Sequence, residues 1–149
     1  MKMKFSEERI ARLRKLIGKE DIKSPSPFGN LFKGKILEVE GGRLTGEYLV
    51  RNEITNLAGM LHGGAICTIL DEVMGLTIYT LDIKNFYPTV NINVDFLSSA
   101  KEGETVIVRS EVIRQGKHII HIEGRLFNES GKLLAKGTSN FAKIDHPIE

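Results

Sequence analysis

The sequence predicts an α+β fold: a curled antiparallel β-sheet wrapped around one long central helix, with a short helix in front of it. Three observations predict it. Two β-favouring runs precede, and four follow, a single long apolar-striped segment. The turns between those runs are only a few residues long, too short for the crossover that a parallel pair requires. The stripe itself is wide and nearly continuous, which calls for burial rather than a place on the surface.

The elements follow in order. Residues 6–18 read as a short helix capped by Ser6, with Ile10, Leu13, Leu16 and Ile17 at helical spacing and Gly18 as its stop. Ser24-Pro25-Ser26-Pro27 is a linker, since each proline denies its predecessor the helical region. Residues 1–27 are therefore expected as an N-terminal helix and linker lying against a main domain of residues 28–149. In that domain, residues 33–40 and 43–50 form a hairpin through Gly41-Gly42. The central helix spans 62–80, with Ile66, Ile69, Leu70, Val73, Leu76 and Thr77 on one stripe. Strands are expected at 89–97, 105–114, 118–128 and 132–143. Their turns, at Glu102-Gly103, Gln115-Gly116-Lys117 and Ser130-Gly131, each demand antiparallel neighbours. Val90, Ile92, Val94 and Phe96 alternate with Asn91, Asn93 and Asp95, which predicts a strand with one dry face.

Composition removes several function classes. At 149 residues with 41% hydrophobic content, the chain has enough apolar material for one core and too little length for two. Lys+Arg 21 against Asp+Glu 19 gives a net charge of +2, without the clustered excess a nucleic-acid partner needs. A single cysteine excludes an internal disulfide and a Cys-built zinc site. His118, His121 and His146 have no metal-like spacing, so no metal is expected. No apolar run approaches the roughly 18 residues of a membrane span. Acids and bases scattered through the N-terminus fit neither a secretory signal nor a transit peptide, so a cytoplasmic protein is expected.

The chemistry concentrates around residues 56–75. Gly63 and Gly64 fall at the predicted helix start, where the first backbone N–H groups have no intrahelical partner and the dipole favours negative charge. Without side chains there, a ligand oxygen can approach those donors, the recipe for an oxyanion hole. The glycines alone fit a tight loop-to-helix turn equally well. Asp71 interrupts an apolar run with no cationic partner nearby in sequence, which is costly unless it has a use. A solvated edge is the alternative, because Asp71 lies about 140° from the centre of the stripe. Gly64 and Asp71 share a helix face but are separated along the axis by about 10 Å. A carbonyl reacting at both needs them within about 3 Å. Two antiparallel copies of the helix, related by a two-fold axis, satisfy that condition where one copy does not.

The spacing of Asn56, Gly59, His62-Gly63-Gly64 and Asp71 now carries a name. Together with the strand Asn91-Ile92-Asn93-Val94-Asp95-Phe96-Leu97-Ser98-Ser99-Ala100-Lys101, it resembles the hotdog-fold acyl-CoA thioesterases of the phenylacetic-acid-degradation (PaaI-like) group. The resemblance covers roughly residues 30–145 and implies a hotdog fold, dimerised and often paired again into tetramers. It implies that Asp71 acts as general base on water or as nucleophile on the thioester carbonyl, which the amide of Gly63 polarises. His62 would support that loop and the sulfur end of the substrate. Asn56 would orient the nucleophile or water, and Thr89 would hold the water. Asn56, His62 and Gly63 would come from one subunit, Asp71 and Thr89 from the other. For the coenzyme, the resemblance points to Gly64, Asn91, Phe96 and the turn Arg114, Gln115, Gly116, Lys117 and His118. There Arg114 and Lys117 would pair with phosphates, although a plain basic hairpin looks the same. Coenzyme A is part of the substrate, and no separate cofactor is implied.

Ser99 stands where many relatives have proline. Glu72 is the competing carboxylate, since other hotdog thioesterases use Glu, but its spacing from His62 favours Asp71. Cys67 reads as a helix-packing residue and Asn128-Glu129-Ser130 as a turn. Met60, Leu61, Met74, Ile78 and Tyr79 are candidates either to line an apolar acyl or aryl pocket or to pack in the core. Two other functions compete with hydrolysis. A non-catalytic acyl-CoA sensor would carry a DNA-binding domain, for which the 6–18 helix is too short. A hotdog hydratase would need a His–acid arrangement that is absent here.

Overall fold

The computed structural model describes residues 2–148. The chain forms α1 (Glu7–Arg14), β1 (Lys35–Glu40), β2 (Arg43–Leu49), the central α2 (Gly63–Tyr79), β3 (Thr89–Phe96), β4 (Thr105–Gln115), β5 (Ile119–Asn128) and β6 (Leu133–Ala142). All six strands join one antiparallel sheet, in the order β1-β2-β4-β5-β6-β3, curled around α2. This is the α+β hotdog architecture that the sequence predicts.

The N-terminal helix is shorter than expected. Ser6 does cap it, accepting the Arg9 N–H at 3.3 Å. The helix ends at Arg14 with Lys15 as its C-cap, and a turn brings Gly18, at φ +72°, to donate its N–H to the Ile36 carbonyl at 2.9 Å. Ile10 and Leu13 enter the common core, whereas Ile17 is exposed beyond the helix end.

Helix α2 meets the sheet where the sheet is floored by glycine. A Cβ on Gly124 of β5 would stand 2.8 Å from Met74 Cε and 3.1 Å from Leu70 Cδ2; one on Gly137 of β6 would stand 3.3 Å from Leu70 Cδ1. The helix therefore seats deeper than side chains on those strands would allow. Ile69, Leu70, Val73, Met74 and Thr77 are at most 1% exposed. The Thr77 hydroxyl donates to the Val73 carbonyl at 2.7 Å and hydrogen-bonds Ser110 of β4, so the buried polar groups have partners. The expected stripe shifts slightly. Met74 and Ile78 are in it, while Leu76 is half-buried and turned towards the N-terminal segment. Among the proposed pocket-lining residues, Leu61, Met74 and Ile78 are thus core.

Two expectations about β3 are corrected. It pairs with β6, not with β4, despite the short Glu102-Gly103 connection. Residues 97–104 ride across the loop ahead of α2 instead of turning back: Leu61 donates to the Ala100 carbonyl, Gly103 to Val50 and Val50 to Glu104, each at 2.8 Å. The dry face is also incomplete. Ile92 and Val94 pack on the core, but Val90 and Phe96 are 59% and 55% exposed on what is an edge strand of the sheet.

The glycine floor yields a direct test. Gly124→Val should destabilise the chain by about 2 kcal/mol or more through overpacking, and Leu70→Ala by about 3 kcal/mol through the cavity it leaves. Urea unfolding reads both. A Gly124→Val midpoint equal to wild type would mean that the helix has room to retreat.

Candidate active site

The loop before α2 is built by the first half of the sequence motif. Asn56 Oδ1 accepts the N–H groups of Ala58 at 2.9 Å and Met60 at 3.1 Å, closing a side-chain-capped turn in which Gly59 adopts φ +72°. Asn56 N–H donates to the Met60 carbonyl at 2.7 Å, and His62 N–H to Ile54 at 2.9 Å. The Asn56 oxygen is therefore committed to the loop, and its Nδ2 is the group left to face a ligand.

His62 is the N-cap of α2. Its Nδ1 accepts the Gly64 N–H at 2.8 Å, which places the proton of the neutral ring on Nε2. This corrects the expectation that both glycine amides are open. Gly64 is already paired, and of the two glycine amides the one left without an acceptor is that of Gly63. A Cβ on Gly64 would stand 3.1 Å from His62 Nδ1, so the cap itself favours glycine there. The Phe96 ring lies beside the same helix end, 3.5 Å from where a Gly63 Cβ would be.

Asp71 sits two turns further along the helix, half-buried. The Thr89 hydroxyl at the start of β3 donates to its Oδ1 at 2.7 Å. The carboxylate has no basic partner among the described residues; a neighbouring strand holds it through a hydroxyl. The structure thus brings Asp71 and Thr89 together, and separately groups Asn56, His62, Gly63 and Phe96 at the helix start. Eight residues of helix between Gly63 and Asp71 correspond to a rise of about 12 Å.

The turn that carries most of the coenzyme candidates lies at the sheet end that holds Thr89, away from the start of α2. Arg114, Lys117 and His118 are exposed on the β4–β5 turn, with Gln115 half-buried and Gly116 buried. Arg114 Nη1 is 3.3 Å from where a Gly116 Cβ would be, so the guanidinium lies over the turn. Asn91 Oδ1 is occupied by Asn140, accepting its N–H at 3.2 Å and Nδ2–H at 3.1 Å, and Asn140 Oδ1 is 2.8 Å from His121 Nδ1. Sequence reasoning missed that polar ladder, because cross-strand partners leave no mark on spacing within one strand.

With this geometry in place, likeness to known proteins is informative. The sequence profile described as the thioesterase superfamily matches residues 58–135, the stretch from the motif loop into β6. The chain belongs to the thioesterase superfamily. Human acyl-coenzyme A thioesterase 13 is 33% identical over 107 residues, covering 70% of this chain and 76% of that protein. The crystal structure of zebrafish thioesterase superfamily member 2 superposes with a TM-score of 0.75 at 26% identity, covering 82% of this chain and 89% of that one. The E. coli PaaI protein from the phenylacetic acid degradation operon shares the fold, with a TM-score of 0.76 at 17% identity and coverage of 84% and 89%.

In this member of the superfamily the two adjacent carboxylates have different partners. Glu72 turns to the linker, where Ser26 Oγ donates to its Oε1 at 3.0 Å and itself accepts the Gly29 N–H at 3.1 Å. Its carboxylate lies so close over Gly29 that a Cβ there would collide with it. Burial pushes the Glu72 carboxyl above its ordinary pKa; the Ser26 hydrogen bond opposes that, and the Asp71 charge adds to it. The Cys67 thiol is also pushed up, by burial first and by the Asp71 charge, which disfavours a thiolate nucleophile.

A raised carboxyl pKa means that the ionised form is less at home in the fold than in the unfolded chain. The contribution is intact below the usual carboxylate range and is lost as pH rises through the raised value. Glu72→Gln should therefore raise the melting temperature at pH 7, with the advantage shrinking as pH falls through the raised value and gone by about pH 4. Calorimetry across that range decides it, and a variant that melts lower at pH 7 overturns the assignment.

Proposed function

We propose that the chain hydrolyses acyl-CoA thioesters to free acid and CoA, with Asp71 as the base. The observation that carries this is the hydrogen bond from Thr89 to Asp71 Oδ1 at 2.7 Å. It fixes the carboxylate on the helix face that Gly64 shares and leaves Oδ2 for a water molecule. The name of the human relative supplies the thioester class.

In this reading the thioester carbonyl oxygen accepts the Gly63 N–H, where the helix dipole stabilises the developing negative charge. Asp71 takes a proton from water as the water oxygen bonds to the carbonyl carbon. The tetrahedral intermediate then collapses, the C–S bond breaks, and the CoA sulfur leaves with that proton. Thr89 holds Asp71 and the water in line. His62 sets the loop by capping the helix and presents Nε2–H towards the sulfur, while Asn56 Nδ2 faces the water. Gly64 serves through its lack of a side chain, and Phe96 walls the thioester end. The turn from Arg114 to His118 takes the coenzyme, its cations meeting phosphates, with Asn91 beside the arm. Coenzyme A enters as substrate, and the chemistry draws on no further cofactor.

The helical rise between Gly63 and Asp71 supports a site shared between two copies, because one carbonyl must reach both groups within about 3 Å. The exposed Val90 and Phe96 on edge strand β3 suit the same homodimer. Asn56, His62 and Gly63 would come from one copy, Asp71 and Thr89 from the other.

Thiol release from a panel of aliphatic and aryl acyl-CoAs tests the reaction. Asp71→Asn should lower kcat by about a hundredfold or more while remaining folded, and Thr89→Ala by about tenfold. CoA binding without turnover by the native chain would make it a sensor. Full activity in Asp71→Asn would remove the carboxylate from the mechanism.

The shared site has its own readout. Asp71→Asn and Gly63→Val chains, each inactive alone, should regain about a quarter of native activity when subunits are mixed one to one and exchanged. No recovery after verified exchange would place each site within one chain.

A further inference from the structure

The N-terminal segment ahead of α1 lies against the β4–β5 turn at a defined position. Lys4 N–H donates to Gln115 Oε1 at 3.3 Å, and the Lys4 carbonyl accepts the Asp82 N–H at 2.9 Å. The next residue forms an antiparallel bridge with Leu81, and its ring packs over the Gly41-Gly42 turn. Side chains alternate in extended chain, so with the Phe5 ring laid over that turn, Lys4 is left on the opposite side, and it is exposed. A second strand end reaches the same place: Lys143, just past β6, donates its N–H to the His118 carbonyl at 2.8 Å. Lys4, Arg114, Lys117 and Lys143 therefore gather around one turn, and among the described residues none of them forms an ion pair. Asp82, whose main chain touches Lys4, does not pair with it, and Glu111 on β4 is taken by Arg43 at 2.6 Å.

We infer that Lys4 completes a phosphate-binding cluster with Arg114, Lys117 and Lys143, and that this cluster takes the nucleotide end of the coenzyme carried by the substrate. The inference rests on the acyl-CoA reading above, and goes beyond it by assigning a binding residue to the segment ahead of α1. Unpaired, exposed cations placed around one sheet corner suit a ligand with several phosphate charges. The cluster also lies on the same sheet end as Thr89, which pairs with Phe141 on β6. It is two to three strands away, about 10–15 Å at about 4.8 Å per strand. At that separation the cluster holds the far end of a long substrate and does not touch the reacting carbonyl. Lys4 is thus a binding residue rather than a catalytic one.

The test is calorimetric titration of the full chain with CoA and with pantetheine, which lacks the nucleotide. Lys4→Glu should weaken CoA binding by about tenfold and leave pantetheine unchanged, whereas Lys4→Arg should stay within about twofold of native. The salt dependence of CoA binding should be shallower in Lys4→Glu. The inference is overturned if Lys4→Glu binds CoA as tightly as native, if both ligands weaken together, or if the native chain prefers CoA no more than pantetheine. Lys4-dependent CoA binding with no hydrolysis of any thioester would uphold the cluster and sink the proposed reaction instead.

Discussion

The seat of α2 on the glycine floor of the sheet sets everything else. Leu70 and Met74 descend onto Gly124, Leu70 also meets Gly137, and Val73 faces Gly46, where a Cβ would stand 3.5 Å from Val73 Cγ2. This contact fixes the rotation of the helix as well as its depth. With the buried arc fixed, Gly64, Asp71 and the exposed Gly75 are turned out along one line, and Glu72 is turned about 100° away into the linker. A helix that seated one residue further round would present the wrong carboxylate to Thr89. Packing in the core therefore selects which acid is available for chemistry, although no core atom touches it.

The motif that runs from Asn56 to Asp71 divides into parts with different work. Asn56 and Gly59 make a turn, His62 caps a helix with its own ring, and Gly64 makes room for that cap. Once the local structure has taken what it needs, the amide of Gly63, Asn56 Nδ2, His62 Nε2–H and the carboxylate of Asp71 are left for a ligand. Such economy explains why the spacing is so restrictive: each position answers a backbone requirement before it answers a chemical one. The helix N-terminus is then a donor site whose second amide is already satisfied by the cap, and the first is the glycine amide that remains for a ligand oxygen.

Alternation and stripe width made most of the fold legible. The strand runs after α2, the Gly41-Gly42 hairpin and the central helix all lie within a few residues of their expected bounds, because each follows from local periodicity. What was not legible depends on distant chain. The partner of β3 could not be read from the short 97–104 connection, since those residues are tied to Val50 and Leu61 rather than to each other. Leu76 is less buried than its place on the stripe suggests, because the N-terminal segment shares the cover of that side of α2 with β1 and β2. In the site, Asp71 was visible as a charge in an apolar run. Its hydroxyl partner Thr89 was indicated only by family likeness, and Ser26, which holds Glu72 from 46 positions away, left no signal at all.

The bare edge of β3 has a consequence for handling the protein. A strand that displays Val90 and Phe96 beside unpaired backbone groups is a template for any passing strand, and Asn91, Asn93 and Asp95 are its main protection against a misaligned one. On the reading that a second copy covers this edge, dilution removes the cover. The monomer then carries an uncovered apolar edge to whatever surface it meets. Adsorption to vessel walls and slow loss of material would set a lower limit on working concentration, well before unfolding does.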